Sequence, residues 1–333
     1  MMELKTLTKK IVTAYGPTGL ETNVAHIIMD EIKPFVDSVR IDALGNVIAV
    51  KNGTGPKVML AAHMDEIGIM VTHIDENGFL RFTNLGGLNP YVLLGTRCIF
   101  GNGTRGVYGA EKLEAGESLT LAKMYVDIGA TSRAEAMEKV QIGDCAGADY
   151  ECIDLGKRMV SKAMDDRIAC VVLIETIKQL KNPAAECHFV FTVQEEVGLR
   201  GARTSAYAVD PDYGIAVDVT RTGDTPKGVT MEVSLGKGPT VKVRDSSVLC
   251  HPAMIQYMKE VASKEGIPYQ MEVLEAGGTD SGAIHLTKSG VPSGVMSIAC
   301  RYIHTPSEMV DMDDVANGIK LMVALLQNTF PKV

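Results

Sequence analysis

Four short runs in this chain are rich in apolar residues, and an acid or a histidine follows each within a few positions. VMLAA (58–62) leads into His63-Met64-Asp65, CHFVFTVQ (187–194) into Glu195-Glu196, YGIAV (213–217) into Asp218, and the run ending VMSIAC (295–300) into His304. A continuously apolar strand such as Val58–Ala62 is buried on both faces, so helices must cover both sides of its sheet. In open α/β sheets, groups at the carboxyl ends of strands meet in one crevice. The four segments therefore converge, joined by Asp165 from the loop that opens the run MDDRIACVV.

Taken singly, each of these residues has an ordinary explanation. A histidine after a strand is commonly a surface residue, Glu195-Glu196 a solvated turn, and Asp165-Asp166 a helix cap. Together they place five carboxylates and two imidazoles, spread over about 240 positions, on one rim. So many carboxylates cannot share a pocket in their charged form unless cations neutralise them, which reads as a site for two metal ions. Mixed imidazole and carboxylate donors suit zinc or cobalt. In His63-Met64-Asp65 the aspartate points along the extended chain in the same direction as the histidine, so it can accept from the other ring nitrogen. Neighbours Glu195 and Glu196 fall on opposite sides of the backbone, so one can coordinate while the other serves as general base.

The rhythm of the chain divides it. Helices are expected over Leu4–Val12 and about Glu21–Ile32, then strands Val36–Asp42, Val47–Lys51 and Lys57–Ala62. Between about Glu66 and Met159, short β-rich runs alternate with Gly/Asn/Asp turns, the pattern of a small closed β unit, with one helix capped at Ser132. After Ser161 helices and strands alternate again: a helix from about Asp166 to Leu180, strands Cys187–Val193 and Tyr213–Val217, a helix near Pro252–Glu265, a strand Pro292–Ala299 and a helix Asp313–Gln327. The expectation is a mixed-sheet, three-layer α/β/α domain split in sequence (1–65 and 160–333) around an inserted β-barrel-like domain (66–159).

Composition narrows the partners. The chain has 333 residues, 46% hydrophobic and 22% charged, and a net charge of −8. With no dense Lys/Arg run, nucleic acid and anionic membrane surfaces are excluded as expected partners. No 18-residue apolar window and no signal-like N-terminus is present, and the seven scattered cysteines form no C-x-x-C pair, so a reduced cytoplasmic protein is expected.

The strings AAHMDEIG, SKAMDDR, VQEEVGLRGA, AVDVT, GGTDSGA and YIHTPSE, in that order along the whole chain, resemble the tetrahedral dinuclear metallo-aminopeptidases. That family includes glutamyl, leucyl and lysyl aminopeptidases, some once labelled endoglucanases. The resemblance implies an α/β catalytic domain with an inserted dimerisation domain, and dimers built into hollow tetrahedral dodecamers. It implies Asp165 as the carboxylate bridging both metals, in preference to Asp166. His63, His304, Glu196 and Asp218 become the terminal ligands, Glu195 the general base and Asp65 the residue orienting His63. Glu195 would take a proton from the attacking water and return it to the leaving amine of a peptide substrate.

Secondary candidates are Asp280 in the GGTD turn, near substrate, and Arg244 in VKVRDSS, which could pair with an acidic substrate side chain. His26, His73, His188, His251 and His285 read as structural or surface residues, and the 18 methionines as core filling. A glycosidase needs two carboxylates but no imidazole shell, and a chain without Trp offers little for sugar stacking. A two-metal deacylase or carboxypeptidase is the nearer rival. A closed metal site in a non-enzymatic scaffold would lack the spare, unligated glutamate.

Overall fold

Alternate residues of the strand Lys57–His63 enter two different cores, which explains why the strand carries no polar face. Val58, Leu60 and Ala62 pack on one side with the helices Met2–Val12, Thr22–Ile32, Met164–Gln179, Pro252–Lys264 and Met312–Gln327. Met59 and Ala61 pack on the other with Arg200–Val209 and Ser281–Ile284. The computed structural model describes residues 1–333, and in it the sheet is the middle of three layers. Phe189 and Phe191, both wholly buried, fill the first core from the neighbouring strand, and truncating either to alanine would cost about 3–5 kcal/mol.

The large sheet is mixed. Its centre is four parallel strands, Glu186–Thr192, Lys57–His63, Tyr213–Thr220 and Ser293–Arg301, in that spatial order. Antiparallel strands extend it: Val47–Lys51 and Ser38–Ile41 at one side, Glu308–Asp311, Arg158–Ser161 and Ile153–Asp154 at the other. Thr240–Arg244 pairs antiparallel with Ser293–Arg301 and parallel with Gln270–Val273.

The β-rich stretch forms a closed six-strand barrel: Gly68–Ile74, Leu80–Leu85, Met124–Asp127, Arg105–Ala110, Arg97–Phe100 and Cys145–Ala148. It has its own core of Ile69, Val71, Leu80, Phe82, Phe100, Tyr108 and Val126. Ser132 accepts the Glu135 N–H at 3.3 Å and caps Arg133–Lys139.

The mixed three-layer sheet with an attached barrel is the expected fold class. Several details differ from the sequence reading, among them the strands Thr240–Arg244, Gln270–Val273 and Glu308–Asp311, which it did not include. The helix Arg200–Val209 was not expected, because Gly201, Ala202, Ser205, Ala206 and Val209 make a buried face of small residues that gives little apolar signal. The helix expected from about Asp166 is regular from there on, with Asp165 and Asp166 themselves non-helical after a short turn at Met164. The strand expected to stop at Val217 runs on to Thr220, so Asp218 lies within it. All seven cysteines are unpaired and buried. No helix is long and apolar enough to cross a membrane.

Candidate metal centre

His63 is the last residue of its strand and stands opposite Thr192 in parallel register. The chain then leaves both strands toward the same end of the sheet, so Asp65 meets the turn that follows Thr192. Asp65 Oδ1 accepts the Glu195 N–H at 3.0 Å, and Oδ2 accepts the Glu196 N–H at 3.2 Å and the Thr18 hydroxyl at 2.8 Å. Glu21 holds the same turn from the other side, accepting the Gln194 N–H at 3.1 Å. Gln194 needs that support, since its φ is +56°.

The side chains converge from there. His63 Nε2 lies 3.1 Å from Asp165 Oδ1 and 3.9 Å from Glu195 Oε2, while its Nδ1 faces Asp65 Oδ1 at 3.4 Å. His304 Nε2 lies 3.3 Å from both Asp165 Oδ2 and Glu196 Oε1. Asp165 thus sits between the two imidazoles with one oxygen toward each. Its neighbour Asp166 accepts the His63 N–H at 3.2 Å through Oδ2 and leaves Oδ1 buried without a partner. Three triads bring ligand atoms within 4.8 Å of one another: Asp165, Glu196 and His304; His63, Asp166 and Asp218; His63, Glu195 and Glu196.

The electrostatics are those of an anionic cage. Burial, with Asp165 nearby, pushes the Asp218 carboxyl well above its usual range. Burial raises Glu195 likewise, helped by Asp218 and Glu196, and Glu196 is raised by burial too. Burial works against the charged form of His63, but Glu195, Asp165 and Asp65 outweigh it and hold the imidazole well above its ordinary value. Desolvation likewise opposes the charge on His304, yet Asp165 and Glu196 raise it to about 11. Divalent cations would let the carboxylates ionise and the imidazoles bind as neutral ligands. The donor set, its spacing and the unpartnered Asp166 oxygen all fit two such ions.

His63, Asp165, Glu195, Glu196, Asp218 and His304 all line one open cleft of about 350 Å³. Asp165, Glu196 and His304 also line a narrow enclosed pocket of about 30 Å³ that reaches Leu88, Leu93 and Tyr108 of the barrel. The barrel comes close: a Cβ on Gly87 would stand 2.8 Å from His304 Nδ1, and one on Gly86 2.8 Å from Glu196 Oε2.

The secondary candidates fall elsewhere. Asp280 is buried behind the cleft, accepts the Thr192 hydroxyl at 2.5 Å, and burial raises its carboxyl to about 6. Gly277 and Gly278 of its loop do line the cleft. Arg244 is exposed at its strand's end and is not a lining residue. Arg221, three positions past Asp218, is the lining arginine. Sequence reasoning missed Arg221, Thr18, Glu21 and Glu308. Only Glu308 had a local signal, standing four residues after His304 in the same YIHTPSE segment.

Relatives share the whole architecture. The lysyl aminopeptidase of Pyrococcus furiosus is 39% identical over 98% of this chain and 97% of its own. The solved structure of aminopeptidase APDkam598 from the archaeon Desulfurococcus kamchatkensis superposes with a TM-score of 0.95 at 37% identity, covering 99% of this chain and 96% of that one. The Pyrococcus horikoshii TET1 peptidase, which can assemble into a tetrahedron or a large octahedral shell, matches with a TM-score of 0.88 at 32% identity, over 97% and 99% of the two chains. The model of the M42 glutamyl aminopeptidases matches residues 45–321. The six acids and imidazoles that line this cleft stand on a fold that these peptidases share from end to end, and this chain belongs to the M42 glutamyl aminopeptidase family.

Proposed function

We infer that this aminopeptidase removes N-terminal residues from peptides with water activated by two divalent cations, zinc or cobalt. The observation that carries this reading is Asp165, whose two oxygens face two different imidazoles at 3.1 and 3.3 Å. His63 and His304, with Glu196 and Asp218 as terminal carboxylates and Asp165 between, would hold the pair. When bound, the cations would polarise the scissile carbonyl and acidify the attacking water.

The chain's own groups do the rest. Glu195 takes the water's proton and delivers it to the leaving amine, a role that suits a carboxyl whose affinity for protons burial has raised. Asp65 fixes the tautomer of His63 through its backbone carbonyl, 3.2 Å from Nδ1, with its carboxylate at 3.4 Å. That carboxylate accepts two backbone N–H groups and so sets the direction of both glutamates. Arg221, the one Lys or Arg side chain lining the cleft, favours substrates with an acidic first residue and disfavours basic ones.

The organisation follows the same reading. Residues 1–65 and 160–333, joined by the edge strands Ile153–Asp154 and Arg158–Ser161, form the catalytic unit, and the barrel within 66–159, which ends at Ala148, is the inserted dimerisation unit. Dimers of this chain build a tetrahedral dodecamer, a reading supported by the likeness to the TET1 peptidase. Seven unpaired, buried thiols support a reducing, cytoplasmic setting.

The test is a panel of aminoacyl p-nitroanilides, run after chelation and after adding back zinc or cobalt. Hydrolysis lost with chelator and restored by metal supports the reading. Turnover of N-acylated or C-terminal substrates in preference to free-amine ones would replace it with a deacylase or carboxypeptidase. Full activity in the chelated protein would remove the metals from the mechanism.

A further inference from the structure

Glu308 belongs to neither the donor set nor the general-base pair, yet it holds two of the donors. Its Oε2 accepts the Asp165 N–H at 2.9 Å and its Oε1 accepts the His304 N–H at 2.8 Å. The residue is buried at 2% exposure and opens the strand Glu308–Asp311. Antiparallel register sets it opposite Ser161, so the strand that leads to Asp165 delivers that loop to it.

Both amides need such a partner. His304 has φ +63°, outside regular structure. Asp165 has φ −76° and ψ 107°, a non-helical turn at the head of its helix, where N–H groups have no intrahelical acceptor. A neutral side chain could satisfy one of them. A carboxylate satisfies both and thereby fixes the spacing between two segments 139 positions apart, whose side chains then meet at 3.3 Å.

We propose that Glu308 is a positioning residue chiefly for one cation site, the one formed by Asp165, Glu196 and His304, by clamping the backbones of Asp165 and His304 together. The inference rests on the two-metal reading above. The other site, formed by His63 and Asp218 with Asp165 shared, is held at His63 by Asp166, which accepts its backbone N–H, and by the Asp65 carbonyl at its ring Nδ1, and it meets Glu308 only through Asp165. Loss of the clamp is therefore asymmetric: the His304 site loses both of its held backbones and the other only the shared Asp165, so the first weakens more.

The experiment titrates cobalt into the chelator-treated full chain, followed by calorimetry and by the visible absorption of bound cobalt. Wild type, E308Q, E308D and H304A are compared. Glutamine keeps the shape but turns an amide NH₂ toward one of the two N–H donors, and aspartate keeps the charge but cannot span both. The expected result for E308Q and E308D is one site weakened about tenfold or more and the other weakened much less. The more weakened site shows the same absorption change as in H304A, and the double variant H304A/E308Q loses no more than H304A alone.

Two full-affinity sites in E308Q and E308D would overturn the proposal and leave the two-metal reading standing. Equal weakening of both sites, with a matching fall in thermal stability, would overturn it in favour of a general structural role. A wild-type protein that binds no cobalt would sink the two-metal reading and this inference with it.

Discussion

The two oxygens of Asp65 accept the backbone N–H groups of Glu195 and Glu196, at 3.0 and 3.2 Å, while its first oxygen also faces His63 Nδ1 at 3.4 Å. Asp65 thus sets in register two neighbouring glutamates, through its carboxylate, and an imidazole, whose Nδ1 also lies 3.2 Å from the Asp65 backbone carbonyl. Asp65→Asn keeps the size but replaces one acceptor with a donor aimed at an N–H. The expected result is a loss of about 10–100-fold in kcat or metal affinity. Steady-state kinetics on an aminoacyl p-nitroanilide check this, and wild-type kcat at saturating metal would refute it.

Glu195→Gln should separate chemistry from binding. The amide cannot take a proton, so kcat should fall by about 10²–10⁴-fold while cobalt titration still finds two sites. Metal content by elemental analysis, beside kcat, checks both halves. Near-normal turnover would remove Glu195 from proton transfer.

Arg221 and Arg244 make a matched pair for specificity. Arg221 lines the cleft and Arg244 does not. Arg221→Ala should lower kcat/KM for glutamyl relative to lysyl p-nitroanilide by about tenfold, the worth of one charge-assisted contact, and Arg244→Ala should leave the ratio within about twofold. The reverse pattern would return the role to Arg244.

Gly87 leaves no room for a methyl group beside His304, whose ring lies 2.8–3.0 Å from where a Cβ would stand. Gly87→Ala must push that imidazole aside. Because His304 is about one-third exposed, it can move without opening the core. Activity should therefore drop at least about tenfold with a melting temperature close to wild type. A variant that keeps its activity would show that the barrel loop does not constrain His304.

Arg301 forks onto Asp224, with bonds of 2.9 and 2.7 Å, and ties the approach to His304 to the loop after Asp218. That fork lowers the Asp224 carboxyl to about 2. A carboxyl depressed in the folded state stabilises fully above its unfolded pKa near 4 and loses that contribution as pH falls toward 2. Wild type should exceed Asp224→Asn by about 1 kcal/mol at pH 7, with the gap closing between about pH 4 and 2. Urea unfolding of both proteins across that range checks the sign; a gap that widened with acid would contradict it.

The parts of this molecule that depend on local pattern could be read from the chain. Val58–Ala62 had to be covered on both faces, and the acids and histidines after such runs had to gather at one edge. His63, Asp165, Glu195, Glu196, Asp218 and His304 do line one cleft. What could not be read depends on neighbours made only by folding. Thr18 donates to the Asp65 carboxylate and Glu21 accepts from the Gln194 N–H, both in distant segments, and nothing in their own surroundings marks them. Glu308 stood in the YIHTPSE segment, but its bond to the Asp165 N–H is made only by folding. Arg200–Val209 hid because small residues bury a helix face without an apolar stripe. The choice between Arg221 and Arg244 turned on which one the sheet edge directs toward the cleft, which spacing alone does not fix.

Gly86 and Gly87 make the barrel a wall of the chemistry as well as an appendage of the sheet. A chain trimmed of its barrel would keep every acid and imidazole yet leave His304 and Glu196 unbraced and open to solvent. On the proposed association of copies through the barrel, a partner gripping it would press on the wall beside those two side chains, and assembly would then bear on the competence of the cleft.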